Sequence, residues 1–467
     1  MKDVNIINGT VYLAGELREC DVVVRGGKVV ELAAPGTAPD TPEQVDAEGL
    51  WVLPGLVDAH FHCRAPAYSE REDFESGSRA AAAGGVTTYF EMPISTPGVY
   101  NGEVLNSRRE LAETSSLVDF GLYAAPGTLD WGDINSAVEA GAIGFKVFLH
   151  AAPADRLDEF KGICITDDVQ LYKALRMVSK TGLVCSVHAE DESMIQAVAE
   201  ELGDDAGTGP EAHAFQRPPV VEDYASSRLL VLAEHVGVRI HLAHVSSGFT
   251  AALLRLARER GVDASGETCP HYIAFGNEVM EKHGPFAKVN PPIRGGADAA
   301  ALRAAVKHGD MELLVSDHSP FTVEEKTVGF EDIRKAPSGS PGVEGLGRYF
   351  LDQVLIGELP MRAVVDALTI NPAARFGIEA HKGHLFPGAD ADLVLFDPNG
   401  SATLSAGESF SRSRNSAKMW DGYTFRGQII STWVRGECVY KEGEILGRPG
   451  FGRMVAPKRC QVDCGGV

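Results

Sequence analysis

Short apolar segments of strand-like composition alternate with helix-patterned stretches about eight times along this chain, and that alternation limits the fold more than any other feature. The strand-like segments end at residues 60–62, 90–93, 122–125, 146–149, 188–190, 244–246, 267–270 and 316–318, with helical patterns such as 73–82 and 222–233 between them. Eight such units in succession predict an α/β fold, a (β/α)8 TIM barrel, in which catalytic groups collect where the strands end. No internal repeat strong enough for a solenoid is present.

Residues able to do metal chemistry fall at those strand ends. Asp58-Ala59-His60-Phe61-His62 follows the apolar run 51–57, and residues i and i+2 of a strand point to one face, so His60 and His62 can grip one ion together. Two histidines on one strand face are more often merely packed, so the pair gains meaning from Lys146, His188, His244 and Asp317 further along. Lys146 is the odd one, because an unpaired ammonium in an apolar strand is costly and tends to shed its proton. A neutral amine there can add carbon dioxide and become a carbamate, an anionic ligand whose two oxygens can bridge two cations. Four imidazoles, one carbamate and one carboxylate suit a pair of zinc ions or similar divalent metals.

Composition points the same way. A chain of 467 residues, 44% hydrophobic, can bury a large core, and no apolar stretch approaches membrane-spanning length. A net charge of −22 repels nucleic-acid phosphates and anionic lipid, so a small-molecule substrate is expected, with no nucleic-acid or membrane partner. Residues 1–9 lack the pattern of a signal peptide, which makes the cytoplasm the expected location. The eight cysteines form no paired framework and are expected to be reduced thiols, with Cys460 and Cys464 as plain tail residues.

The two ends of the chain read differently from its middle. Residues 20–25 and 28–32 flank Gly26-Gly27 as a hairpin, and β-like segments return at 391–397, 429–434 and 437–440. Residues 1–54 and 384–467 are therefore expected to build one small β-sandwich domain beside a barrel of residues 55–383. The Gly- and Ser-containing stretch 399–418 is expected to be a surface loop.

Several motifs in order, the 55–62 segment, Lys146, His188, His244, Glu267-Thr268-Cys269-Pro270-His271, 288–294, Ser316-Asp317-His318 and 388–393, resemble the amidohydrolase superfamily. Within it the match is to the cyclic amidohydrolases: hydantoinases, allantoinases, dihydropyrimidinases and dihydroorotases. By that resemblance His60, His62 and Asp317 would hold one metal, His188 and His244 the other, and carboxylated Lys146 would bridge them. Asp317 would be the catalytic general base and then acid in opening a cyclic amide. A homodimer or homotetramer is the implied assembly.

Signals for the substrate conflict. Arg64 and Asn290 resemble the pair with which dihydroorotases hold a ring carboxylate, although Arg64 also reads as a surface residue paired with Glu70 or Asp73. Ile94 stands where dihydroorotases carry an asparagine, and Phe321 where they tend to carry a histidine. The segments 91–94, 145–151 and 337–344 look instead like allantoinases and hydantoinases, whose loops would contact the ring through the backbone at Asn290 and Ser338. Ala151 replaces the tyrosine of D-hydantoinases. A hydantoin- or allantoin-type ring is thus favoured over a dihydroorotate-type ring. A non-catalytic scaffold homologue is the remaining alternative, and its mark, loss of metal ligands, is absent. His241, His271 and His318 are expected to support the ligands, and Cys63 to point away from them.

Overall fold

A computed structural model describes residues 3–154 and 156–458. Cys460 and Cys464 lie outside the described residues. Eight strands, Leu56–Phe61, Val86–Glu91, Asp119–Ala124, Gly144–Phe148, Val184–His188, Arg239–Leu242, Ala264–Thr268 and Leu313–Leu314, lie side by side in chain order. Neighbours run parallel throughout. Almost every strand residue is buried, because helices cover the outer face and side chains fill the inner one.

Helix Pro219–Val236 shows how sequence sets the covering layer. Pro219 sits in the first turn, where its missing N–H is not needed, and Gly237 ends the helix in a left-handed conformation at φ 69°. Between them Ala225, Leu229, Leu230 and Ala233 form the buried stripe.

The last strand has only two residues, and the circle closes just beyond it, through the Asp58 side chain and a main-chain bridge between Phe61 and His318. Ser316 donates to the buried Asp58 carboxylate from its backbone N–H (3.1 Å) and its hydroxyl (2.5 Å), and His62 N–H donates to His318 C=O at 2.9 Å. Asp317, between these anchors, has φ 46°, and His244 at the end of the sixth strand has φ 36°. Left-handed backbone at two residues with side chains is unfavourable, and such strain gathers where function fixes a side chain's direction.

Both chain ends build two further sheets. The hairpin Asp21–Arg25 and Lys28–Ala33 joins Val4–Ile7 and Glu43–Asp46 in a four-stranded sheet, with Arg25 opposite Lys28. A seven-stranded sheet pairs Trp51–Pro54 with Leu393–Thr403, which in turn pairs with Thr424–Val434. Val4, Val22, Val24, Val52, Leu393, Leu395 and Trp433 form a separate core there. The chain leaves this region for the barrel at Gly55, where any Cβ would collide with the Thr87 side chain.

The stretch 399–418 differs from its expected form. Residues up to Thr403 extend the strand Leu393–Thr403, and the remainder is a serine-rich strap pressed onto the barrel, with Ser409, Ser411, Ser413 and Ser416 buried. Its hydroxyls are satisfied by Glu344, by Glu72 and by the Arg71 carbonyl, so polarity here marks a buried hydrogen-bonded seam. No helix among the described residues is long and apolar enough to cross a membrane.

Candidate active site

At the carboxyl ends of the barrel strands lies a cavity of about 600 Å³, lined on its floor by His60, His62, His188, His244 and Asp317. One ligand atom each from His60, His62 and Asp317 falls within 4.8 Å of the others, with Asp317 Oδ1 at 3.5 Å from His60 Nε2 and 3.8 Å from His62 Nε2. His188 Nδ1 and His244 Nε2 are 3.0 Å apart, and the His60 and His244 ring centres are 5.0 Å apart. Lys146, wholly buried on the fourth strand, lies within electrostatic reach of His60, His62, His188, His244 and Asp317. The structure thus brings all six predicted ligand residues together.

Electrostatics prepare them for cations. Burial pushes His60 down to about 4 and drives His62, His188 and His244 well below the usual imidazole range, so they stand neutral with lone pairs available. Burial also pushes Lys146 down to about 8 and Asp317 up to about 8. His62 Nδ1, His244 Nδ1 and Lys146 Nζ are buried without a hydrogen-bond partner. Buried polar atoms are rarely left unpaired, and unpartnered atoms on three of these six residues fit a site meant for metal.

Supporting groups orient the histidines. Glu267, on the seventh strand, holds His60 Nδ1 with one oxygen and His241 Nε2 (2.9 Å) with the other, while His241 Nδ1 meets Ser265 Oγ at 2.7 Å. Glu190 holds His188 Nε2 and is itself held by Arg217, each at 2.7 Å. His318 stacks on Phe61 and meets Glu72 at 3.2 Å. His241 therefore supports His60 through Glu267, while the His318 ring meets Phe61 and Glu72 and no ligand side chain among the described residues. His271 supports no ligand either, since its Nε2 is buried without a partner and it does not line the cavity. Cys63 is buried beside Gly77, outside the cavity lining. Sequence alone does not assign Glu190 and Glu267; the available signal is Ser265 and Glu267 at i and i+2 on one strand face, an acid facing a barrel interior that only a base could balance.

Higher in the cavity stand Arg64, Asn290 and Ser338. Arg64 is 2% exposed, so it is no surface residue, and it contacts neither Glu70 nor Asp73. Its Nη2 donates to Ser319 Oγ at 2.5 Å, its guanidinium lies 4.8 Å from the Phe321 ring centre, and its Nε has no partner. His150 also lines the cavity, set edge-on against His188 with its Nδ1 at 2.8 Å from the Ala151 carbonyl.

A second acidic group, Asp119, Asp390 and Asp392, also lies close enough to hold a cation, but Lys382 Nζ already occupies its centre at 2.5, 3.0 and 2.7 Å from the three carboxylates. That cluster is an ion-pair lock.

Comparison with known proteins gives the family. Residues 51–439 match the amidohydrolase family. An allantoinase of Rubrobacter xylanophilus is 35% identical, over 97% of this chain and 98% of that protein. The L-hydantoinase of Paenarthrobacter aurescens is 32% identical over 99% of this chain and 100% of its own. Among solved structures, an L-hydantoinase from Arthrobacter aurescens superposes with a TM-score of 0.92 at 32% identity, covering 98% of this chain and all of that one. A dihydropyrimidinase from Brevibacillus agri gives 0.89 at 28% identity, covering 98% and 99%. The chain belongs to the amidohydrolase family, as an enzyme of its cyclic amidohydrolase branch.

Proposed function

We propose that this enzyme opens a five-membered cyclic ureide or imide, an allantoin or a 5-substituted hydantoin, by adding water across a ring amide. The observation that carries the reading is the gathering of His60, His62, His188, His244 and Asp317 at one cavity, with Lys146 buried within electrostatic reach of all five. His60, His62 and Asp317 would hold one divalent cation, His188 and His244 a second, and Lys146, carboxylated, would link them. Zinc suits these nitrogen and oxygen donors. When bound, the cations acidify water and polarise the scissile carbonyl.

The protein's own groups do the rest. Asp317 accepts the proton of the attacking water and returns it to the departing ring nitrogen. Asn290 and Ser338 seat the ring, and Glu267 and Glu190 keep the imidazoles aimed. Residues 55–383 form the catalytic unit in this reading, and residues 1–54 with 384–467 its companion. The working assembly is a homodimer or homotetramer.

Arg64 favours a second reading. A buried guanidinium whose only hydrogen-bond partner among the described residues is a hydroxyl suits a ring bearing a carboxylate, as in a dihydroorotate-type substrate. One experiment separates the two. Protein loaded with divalent metal and bicarbonate is incubated with allantoin, 5-substituted hydantoins, dihydrouracil and dihydroorotate, and ring opening is read as the gain of one water by mass. Opening of allantoin or a hydantoin supports the first reading, selective opening of dihydroorotate the second, and turnover of none overturns both.

A further inference from the structure

We infer that Lys326 is a positioning residue that locks the two ring-binding loops, 288–290 and 336–340, to each other, with Lys288 as its counterpart. The inference rests on the ring-seating role proposed above for Asn290 and Ser338.

Lys326 is fully buried on the short helix Val323–Thr327. Its direction is fixed from the start of that helix, where Thr322 and Glu325 form a reciprocal capping box and Glu325 also pairs with Arg71 at 2.6 Å. A buried ammonium needs either a carboxylate or a full set of acceptors. Among the described residues Lys326 pairs with no carboxylate. Its three N–H groups go to three main-chain carbonyls, Lys288 at 3.1 Å, Pro337 at 2.9 Å and Gly339 at 2.9 Å.

Lys288 repeats the pattern from the other side. Its ammonium donates to the carbonyls of Ile333 (2.8 Å), Arg334 (3.3 Å) and Ala336 (2.6 Å). Between them the two lysines take five carbonyls of one segment, from Ile333 to Gly339. The Lys288 carbonyl is the point of junction, since it accepts both from Lys326 and from Gly339 N–H at 2.9 Å.

The residues left free by this arrangement are those that face the cavity. With the carbonyls of Pro337 and Gly339 both turned onto Lys326, Ser338 is presented between them, and among the described residues its N–H and C=O have no backbone partner. Asn290 stands two residues beyond the junction, with Oδ1 buried and unpaired. Ser319 N–H donates to Ser340 C=O at 3.1 Å, which ties the same loop to the segment that carries Asp317. The separation between the two ring contacts is therefore held by the Lys326 ammonium together with Lys288 and the main-chain bonds Gly339–Lys288 and Ser319–Ser340.

The test uses the metal-loaded enzyme and Lys326→Met, which keeps the length and removes the donors. Two readouts are taken: cleavage by trypsin after the exposed Arg334 and Lys335, and steady-state kinetics on the ring that the native enzyme opens. The lock predicts that cleavage at these two bonds accelerates about tenfold or more, because the segment opens locally. It also predicts that KM rises about tenfold while kcat changes far less and metal content stays native, since ring seating is lost and the metal ligands are untouched. Native resistance at Arg334 and Lys335 with an unchanged KM overturns the inference, as does a fall in kcat and metal content at native KM. If Lys326→Met fails to fold, Lys326→Arg, which keeps the charge in a mismatched shape, takes its place: faster cleavage with a raised KM supports the lock, and native values of both overturn it. If the native enzyme opens no ring, the proposed activity fails, and the trypsin measurement alone decides for or against the lock.

Discussion

At the scale of single residues, the strongest consequence concerns Asp317. Asp317→Asn keeps an oxygen near His60 and His62 but removes the proton acceptor, so kcat/KM should fall by roughly two to four orders of magnitude, with metal content by atomic absorption largely retained. Full activity in that variant would refute the assignment. Glu267 acts one layer out. Glu267→Gln removes the charge shared by His60 and His241, and metal affinity should drop about 10- to 100-fold, measured by competition with a chelator. Sequence spacing exposes the ligands because a strand's two-residue period puts His60 and His62 on one face, and because Lys146 is anomalous in an apolar segment. It hides Glu190 from its partner Arg217, 27 residues away, because that contact is made only when a loop folds back over the fifth strand.

Among the elements, the strap of residues 404–418 shows how composition misleads. Serines and two arginines in a Gly-containing stretch look solvated, yet the buried Glu72 carboxylate accepts from Ser411 Oγ and from Arg412 N–H at 3.1 Å, and also meets His318 beside Asp317. Hydrogen bonds to a buried acid from 339 and 340 residues away leave no local pattern. The strap therefore reaches the catalytic loop through one side chain. Glu72→Ala should lower unfolding free energy by about 1–3 kcal/mol, because buried donors lose their acceptor. It should also lower kcat about tenfold or more, because His318 and its neighbour Asp317 lose their fixed position. Ser413→Ala is the control: it removes only the strap's bond to the Arg71 carbonyl (2.6 Å), so stability should fall slightly and kcat should stay native. Equal kcat losses in the two variants, compared after correcting for folded fraction, would show that the strap has no directional effect on the site.

For the whole molecule, the barrel is legible because eight apolar strand ends in regular alternation permit few other architectures. Its closure is not, since the last strand has two residues and the join to the first strand is completed by Asp58 and Ser316, 258 residues apart, beside a single main-chain bridge. The join between barrel and terminal sheets is equally hidden. There Asp119, the first residue of the third strand, meets both Lys382 and Arg435, and Lys382 also holds Asp390 and Asp392. Coulombic attraction from the two cations holds the Asp119 carboxyl below its ordinary 3.8 against the opposing effect of burial, and the carboxylates raise Lys382 above its ordinary 10.5. A depressed carboxyl stabilises the fold above its unfolded value and loses that contribution as pH falls through the folded one; a raised ammonium stabilises below its unfolded value and loses it only as pH climbs beyond. Both contributions are therefore complete between about pH 4 and 10. Lys382→Met leaves three carboxylates around an apolar side chain, and breaking a buried ion pair on one side costs about 3–5 kcal/mol. The difference in unfolding free energy between native and variant protein, from denaturant titrations, should be greatest at neutral to alkaline pH and shrink on acidification, starting above the ordinary carboxylate range because burial already raises Asp392 and the variant's carboxylates have lost Lys382. A difference that instead grew on acidification would place the lock's stability somewhere other than in these charges.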